Sequence, residues 1–197
     1  MAETVKQMKC PGCGAIVAIG QKECEWCHNP ILITSFNSIY SMTGQDLKKY
    51  ERSYQEAVDQ NPNIPELNKS MGLCYLKLRL YEKALISFEK AIEDNFDDSE
   101  TYYYAALSLL NGKKAFNTSR KSIDQAMDFL DAAIQIEPRG IYYYALSYIK
   151  YDYFERKYLK TVPGYVECYK MAADVGTSEA DIAMMYEILG VDRPRKI

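Results

Sequence analysis

"PELNKSMGLCYLKLRLYEKALISFEKAIEDNFDD", residues 65 to 98, decides the fold. Within it Gly72 precedes Tyr75 by 3 residues, and Ala84, Phe88 and Ala91 follow one another at intervals of 4 and 3. Those intervals put residues on one face of a helix. The small residues Gly72 and Ala84 let two helices approach closely, while Tyr75, Tyr81 and Phe88 fill the space beside them. The stretch therefore predicts two helices packed as a pair.

The pattern returns along the chain. The intervals 4, 3 and 5 separate Tyr50, Tyr54, Ala57 and Pro62, then Ala84, Phe88, Ala91 and Phe96, then Ala126, Leu130, Ala133 and Pro138. They recur more weakly at Tyr165, Tyr169, Ala172 and Thr177. A recurring spacing of this kind marks repeated structural units. Ala106 and Leu109, and then Ala145 and Tyr148, stand where Gly72 and Tyr75 stood. Tyr75 lies 9 residues before Ala84, but Leu109 to Ala126 and Tyr148 to Tyr165 are 17 each, so both later units carry 8 extra residues between their helices. Tyr148, Tyr151, Phe154 and Tyr158 continue a helical stripe, which predicts a long first helix ending before Pro163-Gly164.

Gly72, Tyr75, Tyr81, Ala84, Phe88 and Ala91 resemble the tetratricopeptide repeat signature, with Asn68 in place of the usual Trp and Phe96 in place of Pro. The resemblance covers residues 45–190. It implies a mainly α chain forming a right-handed α-solenoid of about eight helices in stacked pairs. The expected boundaries are a half unit at 45–64, a unit at 65–98, units with inserts at 99–140 and 141–176, a capping helix at 178–190 and a tail at 191–197. Thr177 or Ser178 is the expected N-cap of that last helix and Gly190 its end.

Ahead of the repeats stands a different texture. "KCPGCGAIVAIGQKECEWCHNPI", residues 9 to 31, holds 4 of the 6 cysteines, the single histidine and the single tryptophan. Cys10 and Cys13 form one C-x-x-C, Cys24 and Cys27 another, with 10 residues between the pairs. Two such knuckles can aim four thiolates at one point, the closed tetrahedral shell of structural Zn²⁺, which leaves no position for an activated water. A segment of about 30 residues also needs a metal or disulfides to fold, and an intracellular setting disfavours disulfides. The stretch resembles the short four-cysteine zinc ribbons of bacterial proteins over residues 5–34. "CPGCG" matches that pattern, whereas "CEWCH" puts Glu25 for Pro and His28 for Gly, leaving the second knuckle without glycine's freedom at positive φ. One structural Zn²⁺ held by Cys10, Cys13, Cys24 and Cys27 is the expectation. The runs 15–19 and 31–33 are the expected strands of the β ribbon, 1–34 its domain and 35–44 a linker. His28 is read as exposed or supporting the ligands, and Trp26 as covering the ribbon's core or its seam with the helices. Rubredoxin-like iron is a competing reading, although rubredoxin's knuckles are farther apart. Thioredoxin-like chemistry would need a C-x-x-C at a helix start in a βαβ pattern.

A net charge of −3 gives no global positive field for nucleic acid. The alternative reading, a nucleic-acid-associated regulator carried by the ribbon, has only Lys6, Lys9 and Lys22 there, offset by Glu3, Glu23 and Glu25. The start of the chain lacks the basic and apolar segments of a secretory signal, and no apolar run is long enough to span a membrane. A cytoplasmic protein without membrane association is expected. His28 lies in the cysteine segment and no glycine-rich phosphate loop occurs, so the chain reads as non-enzymatic.

The remaining reading is a scaffold that binds another protein or a peptide. By the resemblance, the inner face of the repeats carries Lys69, Leu73 and Lys77, then Tyr103, Leu107 and Asn111, then Tyr142, Leu146 and Lys150. Aromatic residues with lysines suit a partner bearing acidic groups. Leu73 stands where a carboxylate-clamping Asn would be, so no such clamp is expected. The basic insert at 111–121 reads as a solvated loop. Cys74 and Cys168 read as small buried hydrophobes.

Overall fold

The computed structural model describes residues 6–197. The first residues of the expected ribbon domain, Glu3 among them, lie outside this range. The chain is mainly α, with eight α-helices among the described residues arranged as tetratricopeptide-like helix pairs, and one two-stranded sheet. It divides into two compact lobes, one ending at Phe96 and the other beginning at Asp97.

In the first lobe β1 (Gln7–Lys9) pairs antiparallel with β2 (Ile16–Ala18), Met8 facing Val17. β2 falls in the expected strand at 15–19, but its partner lies upstream of the first cysteine. The other expected strand, 31–33, is instead a strap on the helices. Ile31 donates its N–H to Lys22 O at 3.0 Å. The Ile33 N–H donates to Ser70 Oγ at 3.0 Å, and Ser70 Oγ approaches Ile33 O at 2.9 Å. Ile31 and Ile33 are buried, and so are Phe36 and Ile39 in the 3-10 turn Phe36–Ile39 that follows. The expected linker at 35–44 thus contributes two core side chains, Phe36 and Ile39, while most of its other residues are exposed. An apolar alternation looks alike in sequence whether its backbone pairs with a strand or lies across helices.

α1 (Gly44–Gln60) starts at Thr43, whose hydroxyl accepts the Asp46 N–H. Leu47, Tyr50, Tyr54, Ala57 and Val58 form its buried stripe. It packs against β1 and against α2 (Pro65–Lys77), and α2 pairs with α3 (Tyr81–Asp94). Gly72 lies at the α2–α3 contact: a Cβ there would sit 2.6 Å from the buried Phe88 ring. The repeat signature thus marks a real steric requirement.

In the second lobe α4 (Ser99–Leu109) pairs with α5 (Arg120–Ile136), and α6 (Gly140–Ile149) with α7 (Tyr165–Val175). α6 does run long, as its aromatic stripe predicts, through a π turn at Lys150–Phe154 and a 3-10 turn at Glu155–Lys157. The insert after α4 is more than a solvated loop. Asp152, 2% exposed, accepts the Phe116 N–H at 2.8 Å and pairs with Arg156. Ala115 is buried, while Lys113, Lys114, Arg120 and Lys121 remain outside. α8 (Glu179–Leu189) begins at Ser178, whose hydroxyl accepts the Asp181 N–H, and ends at Gly190 with φ 64°.

Gly72→Ala should lower the stability of the first lobe. Overpacking costs about 1–3 kcal/mol, of which alanine's better helix propensity returns about 1. The net loss is up to about 2 kcal/mol, and chemical denaturation showing a raised midpoint would contradict the close approach at Phe88.

Candidate functional site

The two C-x-x-C segments fold into matching knuckles. Gly14 donates its N–H to Cys10 O at 2.9 Å, and His28 donates to Cys24 O at 2.9 Å. The Cys10 N–H reaches Ala15 O at 2.7 Å, and the Cys24 N–H reaches Asn29 O at 2.9 Å. Gly14 has φ 80° and His28 φ 57°. His28 takes the left-handed conformation that the glycine of "CPGCG" supplies in the first knuckle, a backbone state uncommon outside glycine and one that histidine tolerates better than most side chains. The isolated bridge between Glu23 and Pro30 repeats, in the second half, the Lys9–Ile16 pairing of the first.

The knuckles bring the four expected ligands together. All four sulfurs lie within 4.8 Å of one another, with Cys10 to Cys27 at 3.6 Å and Cys13 to Cys24 at 3.7 Å. A tetrahedron with Zn–S bonds of about 2.3 Å has an edge of about 3.8 Å, so the cluster has the dimensions of a four-thiolate metal shell. Burial pushes the Cys10 thiol up to about 12, against the backbone N–H groups of Cys13 and Gly12. At Cys24 burial acts upward too, but the N–H groups of Trp26 and Cys27 and the neighbouring thiols outweigh it and lower the thiol to about 7. Each knuckle aims two amide donors at its first sulfur. The group can hold one metal ion and offers a fifth ligand no obvious position.

Polar contacts seat the ribbon on α1. Tyr54 OH donates to Ile31 O at 2.9 Å and Tyr50 OH to Pro30 O at 3.3 Å. Ser53 donates to Lys9 O, and Lys9 Nζ meets Glu56 at 2.9 Å. Trp26 takes no part in this seam: it is 77% exposed, contrary to expectation, because the second knuckle turns it outward. His28 is exposed as well. Sequence reading placed Tyr50 and Tyr54 on a helical stripe but not their hydroxyls on the ribbon, and it missed Ser53 and Ser70. Their only signal was hydroxyl-bearing side chains on otherwise buried helix stripes.

The expected peptide groove is not an open surface. Leu73, Tyr103, Leu107, Tyr142, Leu146 and Lys150 are buried. In the second lobe α8 lies against α4 and α6. Tyr186 of α8 meets Tyr148 edge-on at 5.5 Å and Tyr144 at 6.3 Å, and the Asp181 charge acts on the buried Tyr103 phenol. Tyr103 and Tyr142 are buried together, ring centres 5.2 Å apart. Lys150 turns to Pro163 O at 2.8 Å, and Asn111 is exposed in the turn after α4, at φ 50°. In the first lobe the strap takes the corresponding place. Lys77 stands over the Tyr40 ring at 4.8 Å and the Phe36 ring at 5.5 Å, while Lys69 is half-buried on the same helix. Cys74 and Cys168 are buried inside helices, and burial pushes the Cys74 thiol up to about 12.

No family model matches the chain. Among solved structures, a crystal structure of MamA aligns with 80% of this chain and 85% of its own at a TM-score of 0.57 and 18% identity. MamA MSR-1 aligns with 71% of this chain and 72% of its own, at 0.54 and 17% identity. MamA AMB-1 aligns over 72% and 74%, at 0.52 and 16% identity. At such identities the likeness shows the helical-repeat fold and nothing about the site. No helix among the described residues is long and apolar enough to cross a membrane.

Metal binding here requires thiolates, so it weakens as pH falls. Zn²⁺ affinity measured by competition with a chelator should drop at least about a hundredfold between pH 7.5 and 5.5, as protons compete for several sulfurs at once. A flat profile would show that the ion is not held by the cysteines.

Proposed function

We propose that this chain is a non-enzymatic interaction protein of the cytoplasm, a helical-repeat scaffold whose N-terminal ribbon is stapled by one structural Zn²⁺. The observation that carries the reading is the pairing of a closed four-sulfur shell with tetratricopeptide-like helix pairs. Such a shell presents no open coordination position for hydrolytic chemistry, and helix-pair repeats present surface. Tetrahedral thiolates suit zinc and iron alike, and the short spacing between the knuckles favours zinc. With α8 seated across α4 and α6, a peptide bound to the inner face of the second lobe has to displace α8. The scaffold's resting surfaces are therefore the outer helix faces and the ribbon.

Two measurements test this. Elemental analysis of the purified chain should give about one zinc per molecule. Less than half an equivalent, or iron with a rubredoxin-like visible spectrum, contradicts the structural-zinc reading. Affinity capture from source-cell lysate should recover one protein in stoichiometric amount, either with the full chain or with a form ending before α8. Capture by neither form contradicts the scaffold reading.

A further inference from the structure

The ribbon's own lysines are few, but the fold adds others to them. A cleft of about 250 Å³ opens between the first knuckle and α1, lined by Lys9, Lys48, Lys49 and Arg52, with Glu56 as the one acid and Cys10, Pro11 and Gly14 on the ribbon side. Lys9 is engaged by Glu56 at 2.9 Å, and Lys49 lies 3.5 Å from Asp46. Lys48 and Arg52 are exposed and form no ion pair among the described residues. They are one helical turn apart, so their Cβ atoms lie about 5–6 Å from each other on the same face of α1. Two unpaired cations at this separation, one of them a planar guanidinium, match the two oxygens of a carboxylate.

We propose that this cleft is a docking site for an acidic segment of a protein partner, with a Glu or Asp carboxylate between Lys48 and Arg52. The occupant follows from charge and size. Glu56 and Asp46 each engage one lysine, which leaves Lys48 and Arg52 as two uncompensated positive charges at the cleft, and these select an anion. The volume admits a side chain or two and not a run of nucleotides. The cations gather at one mouth rather than along a track, and the net charge of −3 works against binding a polyanion elsewhere on the surface. The proposal rests on the scaffold reading for the kind of partner. It is read out with a defined probe, so its failure is distinguishable from a failed capture.

The test is fluorescence anisotropy of a fluorescein-labelled hexaglutamate peptide titrated with the full, zinc-loaded chain at low ionic strength. Lys48→Glu with Arg52→Glu should weaken binding at least about tenfold, the worth of one charge-assisted hydrogen bond. Lys113→Glu with Lys114→Glu, which makes the same charge change on the exposed insert, should leave it within about twofold. Zinc content and circular dichroism should be those of wild type in both variants. The proposal is overturned if wild type does not bind the peptide, or if the two double variants lose affinity equally. It is also overturned if a hexathymidylate binds more tightly than the peptide through the same two residues, which would assign the cleft to nucleic acid. Loss of zinc from the Lys48/Arg52 variant would overturn it as well, because the cations would then serve the anionic tetrathiolate.

Discussion

Four cysteine sulfurs converging on one point are the constraint on which the first lobe depends. Among the described residues up to Pro30 the ribbon buries Met8, Pro11, Val17 and Ile19 besides Cys10 and Cys24, too little apolar surface to order a segment of that length. An ion held by the two knuckles would supply what the core lacks, since metal binding to such a segment is folding free energy. The consequence extends beyond the ribbon. Directly after the second knuckle come Ile31 and Ile33, gripped by Tyr54 and Ser70, and then Phe36 and Ile39, all buried. The exit of the ribbon is thus part of the helical core, and Tyr50 and Tyr54 on the buried stripe of α1 hold the backbone at Pro30 and Ile31.

α1 packs against both α2 and β1, and its Tyr50 and Tyr54 hydroxyls reach the backbone that leaves the second knuckle. Terminal repeats need a cap, and here the ribbon and its strap supply one. The second lobe uses a different device for its own exposed face. α8 crosses α4 and α6 and buries Ile182, Met185, Tyr186, Ile188 and Leu189, so tyrosines that a groove would display become core. Gly190, at φ 64°, ends that helix.

Local chemistry was legible and distant contacts were not. The ligand set follows from two C-x-x-C spacings, and the helix pairs follow from Gly72, Ala84 and Phe88, because each rests on residues within a turn or a pair. "CEWCH" showed that the second knuckle lacks the glycine of "CPGCG", but not that His28 itself takes the left-handed turn, at φ 57°. The groove misled for a physical reason. Leu107 and Leu146 occupy positions that face inward in an open repeat, but whether they stay open depends on α8, far away in sequence. Strand β1 is three residues long with one buried side chain, below any periodic signal. The buried Asp152 gave no sign of anchoring the insert, because its partner is the backbone N–H of Phe116, 36 residues away.

The cysteine cluster stabilises the helices it sits on and is no detachable appendage. Hydrogen exchange of the amides in α1 and in the strap at 31–39, compared between zinc-loaded and chelator-stripped protein, tests it most directly. Stripping should remove protection from both segments while α4 to α7 keep theirs. Unchanged protection in α1, with exchange accelerating in the ribbon alone, would contradict it.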